Sequence, residues 1–200
     1  KDAADIWIHE GFTAYSESLF IEYFYGKAAG QEYCRGTRKG IRNKFPMIGD
    51  YHVNSSHHDN DVYSKGANLL NTLRQILNDD ERWRQTLRGI GDAFYHQTVT
   101  TEQIETFMAK ETGLELQSFF NQYLRTSQIP IFEYHTEEDK LIYRWAKTME
   151  GFNMPIDLKI DDESVRLKPT ASWQAYPLAY RTTPELEIDP NYYIEVKSFR

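Results

Sequence analysis

Apolar residues recur at intervals of three and four through the first 128 residues and at intervals of two through the remainder. The first pattern runs through Leu69, Leu70, Leu73, Ile76 and Leu77, then Trp83, Leu87, Ile90 and Phe94. It continues through Ile104, Phe107 and Met108, then Leu116, Phe119, Phe120, Tyr123 and Leu124. That spacing lines one face of a helix, so at least five packed amphipathic helices are expected. Local start and stop signals agree. Thr100 followed by Gln103 fits a capping box, Asp79 can cap the helix carrying Trp83, and Gly113 suits a left-handed C-terminal position. Beyond Gln128, Ile156, Leu158 and Ile160 alternate with Asp157 and Lys159, and Val165 and Leu167 alternate with Arg166 and Lys168. Asp161 to Ser164 forms the turn between them, and Ile194 and Val196 repeat the alternation near the end. This is the pattern of short antiparallel strands with one wet face. Ten of the eleven glycines precede Gln128 and six of the seven prolines follow it, which places the seam there. The expectation is an α+β chain with a helical domain over 1–128 and a small antiparallel β-sandwich over 129–200.

Composition narrows the function classes. The chain has 200 residues, 40% of them hydrophobic, enough for a real core without disulfide staples. Thirty acidic residues against 23 basic ones give a net charge of −7, a poor surface for nucleic acid. Mean hydropathy is −0.68 and no apolar run reaches membrane-spanning length, so the chain reads as soluble, with its compartment open. Cys34, the single cysteine, reads as a buried or inert thiol. The chain opens Lys1-Asp2-Ala3 without a targeting segment and reads as a piece of something larger.

The stretch Trp7-Ile8-His9-Glu10-Gly11-Phe12-Thr13-Ala14-Tyr15-Ser16-Glu17, continuing through Leu19-Phe20-Ile21, is apolar nearly all round. A helix of that kind belongs inside a domain and would carry Glu10 into low dielectric. An ionised carboxylate there needs a basic side chain or a metal, or else it sits protonated.

Those residues resemble the W-L-N-E-G-F-A-x-Y-x-E segment of the aminopeptidase N-like family of zinc metallopeptidases, the gluzincins. A second stretch, Val62-Tyr63-Ser64-Lys65-Gly66-Ala67, resembles the same family's Y-x-K-G-A segment. The resemblance implies that 1–128 is the helical, thermolysin-like C-terminal part of a catalytic domain, and that a β-sandwich domain follows. It implies that Glu10 is the third ligand of a catalytic zinc, in a two-histidine, one-carboxylate site that leaves a position open for water. It implies that Tyr63 donates a hydrogen bond to the oxyanion of the tetrahedral intermediate. Peptides with a free N-terminus would be the substrates.

The family's H-E-x-x-H helix lies about twenty residues before its third ligand, and only nine residues precede Glu10 here. His9-Glu10-Gly11-Phe12-Thr13 begins like that motif but has threonine where the second histidine belongs. The glycine-rich segment that holds the substrate amine is also missing. This chain alone is therefore expected neither to bind catalytic zinc nor to cleave peptides, and its principal partner would be the N-terminal part of the same protein.

Other features carry competing readings. His9, where the family commonly has asparagine, either orients neighbours of Glu10 or satisfies a carbonyl, and Glu17 shares the Glu10 helix face and could pair with Lys65 or Arg38. His57-His58-Asp59-Asn60-Asp61 gathers metal-capable groups but lacks ligand geometry and reads as a loop. Arg35, Arg38, Lys39, Arg42 and Lys44 form a basic stripe, either solvated or paired within the fold. Two alternatives to the peptidase reading stay open at this point. One is a non-catalytic peptide-binding relative; the other is a structural helical-plus-β module in which Glu10 is salt-bridged.

Overall fold

The helical period resolves into six α-helices: α1 (Ile6–Tyr25), α2 (Lys27–Gly36), α3 (Asp61–Leu77), α4 (Asp80–Ala93), α5 (Thr101–Thr112) and α6 (Gln117–Arg125). The structure is a computed structural model describing residues 2–53, 60–178 and 185–199, and such counts refer to these residues. The expected caps form. Asp79 accepts from Arg82 N, Thr100 and Gln103 close a reciprocal capping box, and Gly113 ends α5 at φ 65°. Asn78 ends α3 in the same left-handed conformation, φ 51°, one that asparagine tolerates.

Helix α3 is the centre of the packing. Nearly all of its side chains are buried, and its polar ones are satisfied within the fold. Asn68 donates to Cys34 O and Ser64 O and accepts from Arg38 Nε at 2.6 Å. Arg74, 4% exposed, spreads a bidentate fork onto Glu22 of α1 at 2.6 and 2.9 Å and reaches Asp80 of α4 with its Nε at 2.8 Å. Lys27 of α2 holds the other Asp80 oxygen, so two cations, one of them buried, and two carboxylates join four helices.

Helix α1 departs from its sequence reading. Uniform apolarity predicts a fully interior helix, yet only Trp7, Gly11, Tyr15 and Ser18 are buried. Phe20, Tyr23, Phe24 and Tyr25 are 60, 83, 59 and 74% exposed, and they pack chiefly on one another. Glu10 is half-buried rather than engulfed. The reason is architectural: α2 and α3 cover one side of α1, and no described element covers the other.

The period-two region forms β1 (Ile131–Glu137), β2 (Lys140–Ala146), β3 (Ile156–Ile160), β4 (Glu163–Leu167), β5 (Gln174–Pro177), β6 (Leu186–Ile188) and β7 (Glu195–Ser198). One sheet has the order β5-β2-β1-β7 and the other β4-β3-β6. Every pairing is antiparallel except β1 with β7, which is parallel. The exception arises because residues 190–193 first dock against the helices, so that the chain re-enters beside β1 running in its direction. On this edge strand Val196 is 47% exposed, against the inward position its alternation suggests. Phe132, Trp145, Phe152, Ile156 and Leu158 share one core with Leu69, Leu73, Phe120 and Tyr123 of the helices.

The basic stripe settles largely inside this seam. Arg35 donates to Asn191 Oδ1, while Arg38 donates to Pro190 O at 2.8 Å and Asn191 O at 3.1 Å and lies over the Tyr193 ring at 5.5 Å. Tyr123 donates to Tyr193 O at 2.7 Å, and Arg166 caps the end of α3 through Gln75 O and Ile76 O. Buried Gln122 bridges Gln128 O, Lys147 O and Met149 N.

Replacing Arg74 tests the helix clamp. Arg74→Leu strands the partly buried Glu22 and is expected to cost about 3–5 kcal/mol in urea denaturation at pH 7. The hydrogen bond from Arg74 holds the Asp80 carboxyl down at about 2 from 3.8. The native state therefore stays ionised where the unfolded state takes a proton. The Asp80 contribution is complete above pH 4 and is lost as pH falls through 2. In Arg74→Leu that acid limb should flatten; an unchanged limb would contradict the clamp.

Candidate active site

Two interior glycines decide where the site residues stand. Gly11 on α1 faces Gly66 on α3 so closely that a β-carbon on Gly66 would lie 2.7 Å from the Gly11 α-carbon. The reverse substitution would bring its β-carbon 3.1 Å from the Gly66 α-carbon. The helix backbones thus touch; Glu10 stands just before Gly11 on one helix, and Tyr63 stands one turn before Gly66 on the other. Glycine inside a helix costs roughly 1 kcal/mol against alanine, so its presence at two such positions is itself a sign of close approach.

The Tyr63 phenol lies near enough to the Glu10 carboxylate to feel its charge. Desolvation of the hydroxyl, then the charge and hydrogen bond of Glu10, push the phenol above its ordinary value, so it keeps its proton at neutral pH. Among the described residues no lysine or arginine forms an ion pair with Glu10. The two residues singled out by the motifs are therefore neighbours in space, 53 positions apart in sequence.

The start of α3 is held by buried charges. Asp61, 3% exposed, accepts from Arg42 N at 2.8 Å and Asn43 N at 2.6 Å. Lys65 is wholly buried, and its amine donates to Thr126 O at 3.1 Å. The start of α1 is fixed through Asp5, which accepts from Tyr51 and from both the backbone and hydroxyl of Thr101; Trp7 Nε1 donates to the same hydroxyl at 2.8 Å. Sequence reading had no role for Asp5, weighed Asp61 only as part of a metal-capable loop, and offered Lys65 only as a candidate partner of Glu17. The usable signal was an acidic residue just ahead of each motif, at a helix start.

A cavity of about 640 Å³ opens beside α1, walled by Ile6, His9 and Glu10 on one side and by Gln97 to Val99 on the other. Tyr63 stands outside its walls. His9 is exposed on this wall, and among the described residues no hydrogen bond ties its ring to a carbonyl. Glu17 accepts from Tyr33 at 2.7 Å, pairing with neither Lys65 nor Arg38. A second cavity, about 650 Å³, lies between the end of α3 and β3–β4. Its Arg166 and Asp157 are already consumed by each other, by Tyr192 and by the α3 carbonyls, so it offers no free chemistry. His57, His58 and Asp59 lie outside the described residues, and burial pushes the Cys34 thiol up, as suits an inert group. Among the described residues no three His, Cys, Asp or Glu side chains gather to hold a metal. Glu10 offers a carboxylate oxygen, a donor zinc accepts, but as one ligand of a set.

A family model described as the peptidase family M1 domain matches residues 1–123. Among solved structures, the chain is similar to Legionella pneumophila aminopeptidase A in complex with aspartic acid, with a TM-score of 0.75 at 17% identity. That match covers 98% of this chain and 24% of the other, so the chain spans about a quarter of that structure's length. At this identity the likeness concerns the fold.

The helix crossing is directly testable. Gly66→Ala is expected to lose about 1–3 kcal/mol in denaturation, since only backbone can give way. Gly36→Ala places a β-carbon in open space on helical backbone and should be neutral or stabilising by up to about 1 kcal/mol. Equal effects at the two sites would contradict a backbone-to-backbone crossing.

Proposed function

The chain belongs to peptidase family M1, and from that premise we propose that it supplies one zinc ligand, Glu10, and the oxyanion-stabilising phenol, Tyr63, of an aminopeptidase. The observation that carries this reading is their meeting at the α1–α3 crossing with no basic side chain in between. The salt-bridged structural alternative lacks its ion pair among the described residues. In this reading 1–128 is the second half of a catalytic domain and 129–200 the β domain behind it.

A zinc ion bound at Glu10 would supply Lewis acidity and an activated water. The chain's own contributions are separate from that. Glu10 offers a negative oxygen from a rigid helix. Tyr63, its phenol kept protonated, donates to an oxygen on which negative charge develops, without competing for the metal. Two further ligands and a base are needed from outside this chain, so the 200 residues alone are expected to be inactive. The open aromatic face of α1, which continues from Glu10 through Thr13 and Phe20 to Phe24, is the surface that segment would cover. Peptides with a free N-terminus are the proposed substrates. The Legionella enzyme was solved with a free amino acid, the class of molecule aminopeptidases release.

In the full-length protein Glu10→Ala is expected to abolish stoichiometric zinc, read by metal analysis after dialysis. Tyr63→Phe should retain zinc and lower kcat by roughly 10²–10³. Full zinc occupancy in Glu10→Ala would refute the ligand assignment. A zinc-free wild type that still binds peptides would favour the non-catalytic relative.

A further inference from the structure

Tyr63 sits on the exposed side of a helical turn whose neighbours are pinned from three directions. Asp61 is fastened to the 42–43 backbone, Gly66 rests on Gly11, and Lys65 reaches the end of α6. Two positions separate Lys65 from Tyr63, so their side chains leave α3 on nearly opposite sides. Lys65 therefore touches neither Glu10 nor the candidate reaction space; its only described hydrogen bond goes to Thr126 O, the carbonyl just past the last turn of α6. That carbonyl is an orphan of the helix end, and a cation is a favourable partner for it.

We propose that Lys65 is a positioning residue for Tyr63: by tying the first turn of α3 to the end of α6, its amine fixes the rotation and depth of that turn and so places the phenol against Glu10. This rests on the reading of Tyr63 as the oxyanion donor. A fully buried lysine is a poor source of stability, since an apolar chain of similar length avoids the desolvation penalty. Burial, only partly offset by the charge of Asp61 one turn earlier, brings the amine down to about 8. The group is thus costly where it stands, and what it contributes that methionine cannot is a directed bond to one carbonyl. Without it, α3 keeps its apolar packing and its Gly66 contact but can rock about that contact, and a small displacement of a catalytic group is expensive in rate.

The test is a double-mutant cycle in the zinc-loaded full-length protein. Lys65→Met is expected to lower kcat roughly tenfold with KM, zinc content and melting temperature maintained. In a Tyr63→Phe background the same change should cost nothing further, because it acts only through the phenol. Loss of similar size in both backgrounds, or an unchanged kcat, overturns the proposal. A second measurement on the 200-residue chain needs no activity. Nuclear Overhauser contacts between the Tyr63 ring and the Glu10–Gly11 protons should weaken in Lys65→Met, and unaltered contacts count against positioning. If the full-length wild type cleaves no peptide, the peptidase reading fails while these contacts still decide the role of Lys65. Should Lys65→Met not fold, Lys65→Gln, polar but too short to reach Thr126 O, goes through the same measurements.

Discussion

Two helices cannot approach to backbone contact unless both lack a β-carbon where they touch, and the site is organised by that constraint. With Gly11 and Gly66 face to face, α1 and α3 cross at the one place where the residues just before the crossing, Glu10 and the Tyr63 turn, are brought together. An ordinary helix pair stands about 8–10 Å apart at the axes, and a pair of alanines here would push α1 and α3 apart. The interior glycines are intrinsically unfavourable to both helices. Their cost is offset by the packing of the most extensive helix contact in the chain.

A crossing that depends on close backbone contact needs both helices held against sliding, and the structure does this with polar groups buried on α3. Asn68, Asn71, Thr72 and Arg74 are buried among Leu69, Leu70 and Leu73 at positions an ordinary core helix would also fill with apolar residues, and each is spent on a specific partner. Asn71 donates to Asn191 O and Thr72 accepts from Tyr193 N, so the segment after β6 is stitched to the same helix that carries Tyr63. Directional bonds of this kind specify one register, whereas apolar contacts alone tolerate several. The β-rich region thereby also braces α3.

Most of the helical and hairpin framework was legible because its signals are local. The caps at Asp79 and Thr100, the left-handed Gly113 and the Ile156–Leu167 alternation each depend on residues a few positions apart. What failed was non-local. The parallel pairing of β7 is decided by the docking of 190–193 onto distant helices, which no alternation encodes. Arg35 and Arg38 find backbone carbonyls, and since every residue carries one, sequence cannot say which carbonyl receives an arginine. Helix α1 misled for a different reason: its pattern records a need for cover on all sides, and the described residues provide it on one. Glu10 and Tyr63 were readable only through their motifs, and the glycines that join them were present in those motifs without an assigned purpose.

The half-open setting of Glu10 has a thermodynamic consequence. While one side of α1 faces solvent, the half-buried Glu10 carboxylate keeps part of its hydration. Any protein layer laid over the aromatic stripe from Phe20 to Tyr25 gains from burying those rings, but its extension over Glu10 strips the same water away. Covering the carboxylate without a cation would cost several kcal/mol; covering it together with a divalent ion turns that penalty into binding energy. If Glu10 is the zinc ligand proposed above, closure over this face and metal binding would be linked events, each favouring the other, as expected wherever a ligand set is completed only by folding.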